Sequence, residues 1–164
     1  MRRLPLLALL GLAVLPAFAQ TAAPPPGPVE LGFSDFFAQP IGPRGLEPSA
    51  RLLAANGREV RLVGFMVQRE QPQPGSFILA PRPVSMAEQA DGEADDLPPS
   101  AVTVLLPEPQ RQRVVTHQAG LISLTGRLDY GPVEDETGRV SWVRLHLPPT
   151  ALAAGPSVAT PPSH

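Results

Sequence analysis

LISLTGRLDY, Leu121 to Tyr130, alternates with a period of two. Ile122, Leu124, Leu128 and Tyr130 fall on one side, and Ser123, Thr125, Arg127 and Asp129 on the other. Successive side chains of a strand point to opposite faces, so the stretch reads as a strand with one buried and one wet face. One-sided burial favours antiparallel sheet. Gly126 sits inside the pattern, where glycine costs stability. Such a glycine marks a bulge, or a bend where a strand turns a barrel corner.

Four more Pro-free apolar runs read the same way: Arg58–Val67 (REVRLVGFMV), Ser76–Ala80 (SFILA), Ala101–Leu106 (AVTVLL) and Val140–Leu147 (VSWVRLHL). They are rich in Val, Ile, Leu, Thr and Phe, and most are too short for a helix. The first sets Val60, Leu62 and Met66 against Arg61, with Gly64 as a second strand glycine. The last sets Val143, Leu145 and Leu147 inward and Trp142, Arg144 and His146 outward. Between the third and fourth runs, Pro109 opens a candidate short helix that Gln110–Thr116 continue and Gly120 ends. The order strand, strand, strand, helix, strand, strand is that of an OB-fold. The expectation is an all-β domain with minor α content, a five-stranded antiparallel OB-like barrel. A small open sandwich is the alternative. Ahead of the first strand, Asn56-Gly57 either turns a hairpin or ends a helix capped by Ser49. Arg51-Leu52-Leu53-Ala54-Ala55 are good helix formers and favour the helix. Phe33, Phe36 and Phe37 are expected to plug an open end of the barrel.

The flanks of this domain are of another kind. Arg2 and Arg3 precede an apolar run from Leu4 to Leu15, and Ala17-Phe18-Ala19 offers small residues for a signal peptidase. Residues 1–19 therefore read as a signal peptide cut after Ala19, its apolar run falling short of the roughly 20 residues a spanning helix needs. A Pro-rich leader (20–28) precedes the barrel domain (29–147), and a Pro/Ala-rich tail expected to be disordered (148–164) follows it. The expected location is periplasmic or secreted, with no membrane insertion after cleavage.

Composition narrows the chemistry. The chain has no cysteine, so thiolate catalysis and Cys-based metal sites are excluded. All 13 basic residues are Arg; without Arg2 and Arg3, 11 remain against 15 acidic residues, a net charge of about −4. The arginines are scattered, which disfavours nucleic-acid binding. His117, His146 and His164 have no metal-ligand spacing. There is no G-x-S-x-G turn and no Gly-rich phosphate loop, so no catalytic residue and no cofactor is assigned.

Two acidic clusters remain. In PVSMAEQADGEADDLPPS (Pro83–Ser100), Asp91, Glu93 and Asp95 alternate as a calcium loop begins. The Gly and Glu that an EF-hand needs at positions six and twelve are here Asp96 and Val102, so the match fails. The segment reads as a solvated connection. Asp95 or Asp96 is a candidate partner for Arg44, held in a turn between Pro43 and Gly45. The second cluster, Glu134-Asp135-Glu136, turns the last two strands. In an OB-like barrel it would flank the usual binding face together with Gln68–Gly75, which carries Arg69 and Glu70. That face would suit a basic or polar protein partner.

GREVRLVGFMVQRE, PGSFILAP and ADDLPPSAVTVLL together resemble small exported bacterial proteins of unknown function with an OB-like domain. Gly57, Val60, Leu62, Gly64, Phe65, Met66 and Val67 carry the likeness, which covers Ile41 to Leu106. Some of those proteins have cysteines after the second strand; this chain has none, so no metal or redox role is carried over. The combined expectation is a non-enzymatic interaction module, accessory to an envelope transport or assembly complex. The alternative is a small-ligand or metal-binding protein using the acidic loops.

Overall fold

The computed structural model describes residues 27–86, 88–89, 92–93, 97–135, 138–151 and 157–158. It is mostly β, with one principal sheet and little helix. Its five long strands coincide with the five apolar runs: β1 (Glu59–Met66), β2 (Ser76–Ala80), β3 (Val102–Leu105), β4 (Leu121–Glu134) and β5 (Val140–His146). β1 pairs β2, β2 pairs β3, β3 pairs β5, β5 pairs β4, and β4 pairs β1, so the pairings form a closed circuit.

Of the five pairings in this circuit, one departs from the all-antiparallel expectation. β3 and β5 run parallel, with Arg144 opposite Thr103 and His146 opposite Leu105. Once the β4–β5 hairpin has returned the chain, β5 has to enter beside β3 in the direction that β3 already takes. The sheet also holds two short strands that the apolar pattern did not announce. Val29–Glu30 lies parallel to Val60–Arg61, and Ser157–Val158, within the stretch read as a tail, lies antiparallel to Ile122–Ser123. Both sit where a long strand outruns its neighbour: β2 meets β1 only at Phe65 and Met66, and β5 meets β4 only from Arg127 onward. An overhanging edge leaves backbone groups in need of a partner. Ladders of two residues also join Gln68–Arg69 to Ser85–Met86 and Glu88–Gln89 to Gly92–Glu93.

The inward faces are those the alternation assigns. Val60, Leu62, Ile122, Leu124, Leu128, Val143 and Leu145 are buried in one core. Each such side chain removed from water contributes about 1.5–3 kcal/mol. A satellite core of Val67, Ile78, Ala80 and Met86 lies under the excursion between β2 and β3. Phe36 is fully buried, and Phe33 and Phe37 pack against the main core.

Helix α1 (Ala50–Ala55) settles the ambiguity ahead of β1. Ser49 Oγ accepts from Leu52 N at 3.0 Å, and Leu52 and Ala55 are buried. Asn56 and Gly57 end the helix. Gly57 adopts φ +76°, a conformation costly for any residue with a Cβ, and its N–H donates to Leu128 O.

The helix expected over Pro109–Thr116 does not form. A single 3-10 turn, Glu108–Gln110, is followed by irregular chain. Val114, Val115 and Thr116 are β-branched and poor in helix. Tertiary contacts hold the irregular chain in place instead: Gly75 N donates to Arg113 O, His117 Nε2 lies 3.1 Å from Met66 O, and Val115 packs on the core.

The strand glycines also differ from expectation. Neither interrupts the β1–β4 register, where Gly64 faces Ile122 and Gly126 faces Val60. Each permits a close approach. A Cβ on Gly126 would stand 2.6 Å from His146 O, and one on Gly64 would stand 2.6 Å from Phe33 Cε2 and 2.8 Å from Ala80 O. The register shift lies further on: Ser141 faces Val133 but Val143 faces Tyr130. The extra β4 residue falls at Gly131-Pro132, and Gly131 takes φ +145°.

Candidate functional site

The bulge bends the β4–β5 hairpin at the margin of the outer face of β2 and β3. Opposite the hairpin stands the loop after β1. Between them opens a cleft of about 410 Å³. Its floor is the outward row of the sheet, Ser76 and Ile78 on β2 with Thr103 and Leu105 on β3. Arg69, Gln73 and Pro74 form one wall; Val133, Asp135, Arg139, Ser141 and Arg144 form the other.

Among the charged residues expected at this face, Arg69 and Asp135 line the cleft. Glu70 and Glu134 belong to the same two connections but are not among its lining, and Glu136 lies outside the described residues. Arg139 and Arg144 join the lining. Among the described residues that line the cleft, guanidiniums outnumber carboxylates, whereas the connections taken whole are richer in acids.

Arg144 was expected on a wet outward face. It does point outward, yet it is 4% exposed. Alternation decides which face a side chain takes; the curl of the hairpin decides whether that face stays wet. Nε and Nη2 donate to Asp129 Oδ2 at 2.9 and 2.8 Å. Nη1 donates to Gly131 O at 2.8 Å and to Ser141 O at 2.7 Å, with Ser141 Oγ at 3.3 Å. These two carbonyls flank the register shift, and the guanidinium satisfies them across it. The hydrogen bond from Arg144 holds the Asp129 carboxyl below its ordinary 3.8, against the desolvation that would raise it. His146 Nε2 stands 3.8 Å from the same Oδ2. Burial, then the charge of Arg127, push the imidazole below its ordinary 6.5, while Asp129 pulls the other way. This network had a sequence signal in the outward residues Asp129, Arg144 and His146; the bulge that closes it had only Gly131.

The proposed loop pairing has one described member. Arg44 is exposed and pairs with Glu47 at 3.0 Å, three residues along the chain. Asp95 and Asp96 lie outside the described residues, as does Asp91. Among the described residues no group of three His, Asp or Glu is placed to hold a metal ion. No described helix is long and apolar enough to cross a membrane. A face of another kind lies on the hairpin, where Trp142 is 54% exposed with its ring centroid 6.5 Å from that of Tyr130.

No family model matches the sequence, and no curated protein does. Among solved structures the chain is similar to a DUF3299 family protein from Pseudomonas aeruginosa PAO1, known from a crystal structure. The two share 14% identity with a TM-score of 0.46, over 74% of this chain and 93% of that one. A likeness of that size carries no argument about fold or activity.

Proposed function

We propose that this chain is an exported, non-enzymatic binding module: a five-stranded OB-like barrel whose cleft between the β1–β2 loop and the β4–β5 hairpin receives a protein partner in the cell envelope. Support for the barrel comes from the closed circuit of pairings and the parallel β3–β5 ladder. Support for export comes from the charged and apolar start of the sequence and its Ala17-Phe18-Ala19 site. The observation that carries the binding reading is the cleft itself, with Ile78 and Leu105 in its floor and charged side chains on both walls. An apolar centre inside a polar rim is the usual anatomy of a protein interface. Arg144, the buried cation at the cleft, spends its donors on Asp129, Gly131 and Ser141, an architectural task.

Site-specific photo-crosslinking in cells tests the reading. A crosslinker in place of Val133, on the cleft wall, should trap one discrete envelope protein. The same group in place of Val63, on β1 and outside the cleft lining, should not. Equal trapping at both positions, or recovery of this chain alone where a known envelope complex is captured, would end the proposal.

A further inference from the structure

We infer that the exposed ring pair Trp142 and Tyr130 is the seat of this chain's own Pro-rich leader, with Pro24–Pro26 laid on the two rings as a polyproline II segment. The inference concerns the part of the hairpin outside the cleft lining and does not rest on the docking reading.

The chemistry of the surface is the first support. Val140 and Trp142 are 48% and 54% exposed, and neither they nor the half-buried Tyr130 line the cleft. Standing two apart on one strand, Val140 and Trp142 share a face. The rings of Trp142 and Tyr130 lie side by side, tilted by 37°. Neighbouring aromatic rings are the usual receiver of a polyproline II segment, which is already extended and loses little entropy when it docks. The leader Gln20–Pro28, QTAAPPPGP, carries such a run and no charge.

Register is the second. Val29–Glu30 runs parallel to Val60–Arg61, and those residues face Gly126 and Thr125 of β4. Traced backward from Val29, the chain therefore heads along β4 toward Tyr130. It leads to the place where α1 gives way to β1, and there Asn56 Oδ1 accepts from Tyr130 N at 2.9 Å. The Pro-rich stretch at the other flank is placed differently. Its strand Ser157–Val158 pairs with Ser123 and Ile122, at the opposite end of β4.

Reach is the third. Val29 stands level with Gly126 across β1, and Gly126 to Tyr130 is about 13 Å of strand. Crossing two strand spacings adds about 10 Å sideways, so the direct path is about 16 Å. Polyproline II rises about 3.1 Å per residue, which brings Pro24 about 16 Å from Val29. The proline run thus ends where the ring pair stands. Tethered so closely, even a weak contact is populated, because the local concentration of a segment on a short tether is of millimolar order.

Trp142 is the sole tryptophan, so its emission reads the seat directly. The test compares three proteins by emission maximum and acrylamide quenching: residues 20–164, the same chain with Pro24→Gly, Pro25→Gly and Pro26→Gly, and a chain that starts at Gly27. Far-UV circular dichroism checks that all three share one fold. Residues 20–164 should emit further to the blue and quench about half as steeply as the other two, unchanged over about a hundredfold dilution, as an intramolecular contact requires. Equal emission and quenching in all three would overturn the inference. So would a triple-glycine chain that behaves like its parent, since the proline rings would then contribute nothing. A difference that fades on dilution would also overturn it, by assigning the seat to the leader of a second copy.

Discussion

At the scale of single residues, Arg144 has the most consequence. A buried guanidinium is costly unless its donors are met, and here acceptors on β4 and β5 meet them. Arg144→Met should destabilise the chain by about 2 kcal/mol in urea unfolding at neutral pH. That is below the usual figure for a broken buried pair, because Asp129 is 38% exposed and water can take over part of its solvation. The pair also sets an acid limit. Asp129 titrates below 3.8 in the folded chain, so its stabilisation is complete above 3.8 and is lost as pH falls through the lowered value. The gap between wild type and Arg144→Met should therefore shrink when the same unfolding is measured near the acid end of that range. A gap that stays constant there would assign the loss to packing of the Arg stem.

At the scale of elements, close approach and edge cover explain features that propensity does not. Gly126 lies opposite a backbone carbonyl that cannot rotate away, with a would-be Cβ 2.6 Å from His146 O. Gly126→Ala should cost about 1–3 kcal/mol by thermal unfolding, even though alanine is otherwise tolerated better than glycine inside a strand. A neutral result would mean that β4 and β5 slide apart at little cost. The segment after β3 shows the opposite balance. Its Pro109 start was a fair helix signal, but Val115 gains more from the core than a short helix would give. The two-residue strands at 29–30 and 157–158 belong to the same scale, each covering the part of a long strand that its neighbour leaves bare.

At the scale of the molecule, the region before β1 is part of the folded unit. Phe36 is wholly buried, the Phe33 ring lies tilted beside it with centroids 5.4 Å apart, and Leu52 and Ala55 of α1 belong to the same core. Arg51 ties the helix back to Glu30 O at 2.8 Å. Phe36→Ala should therefore cost about 3–5 kcal/mol and lower the midpoint of the whole chain in one cooperative transition. A separate early transition, with the strands melting later, would show instead that the aromatic cover is an independent appendage.

The period-two faces of Arg58–Val67, Leu121–Tyr130 and Val140–Leu147 determined by themselves which side chains enter the core, because a strand has only two faces and one must be apolar. Ser49 with Asn56-Gly57 likewise determined α1, since cap and stop are local chemistry. The charged residues Arg69, Asp135 and Arg139 were visible as members of two connections that flank one face. What they line was decided only by the tertiary structure, which sets those connections on two sides of one cleft. The burial of Arg144, the parallel entry of β5 beside β3 and the irregular course of Val114–Thr116 also belong to tertiary structure. Each depends on groups far apart along the chain, whose mutual distance no local pattern encodes.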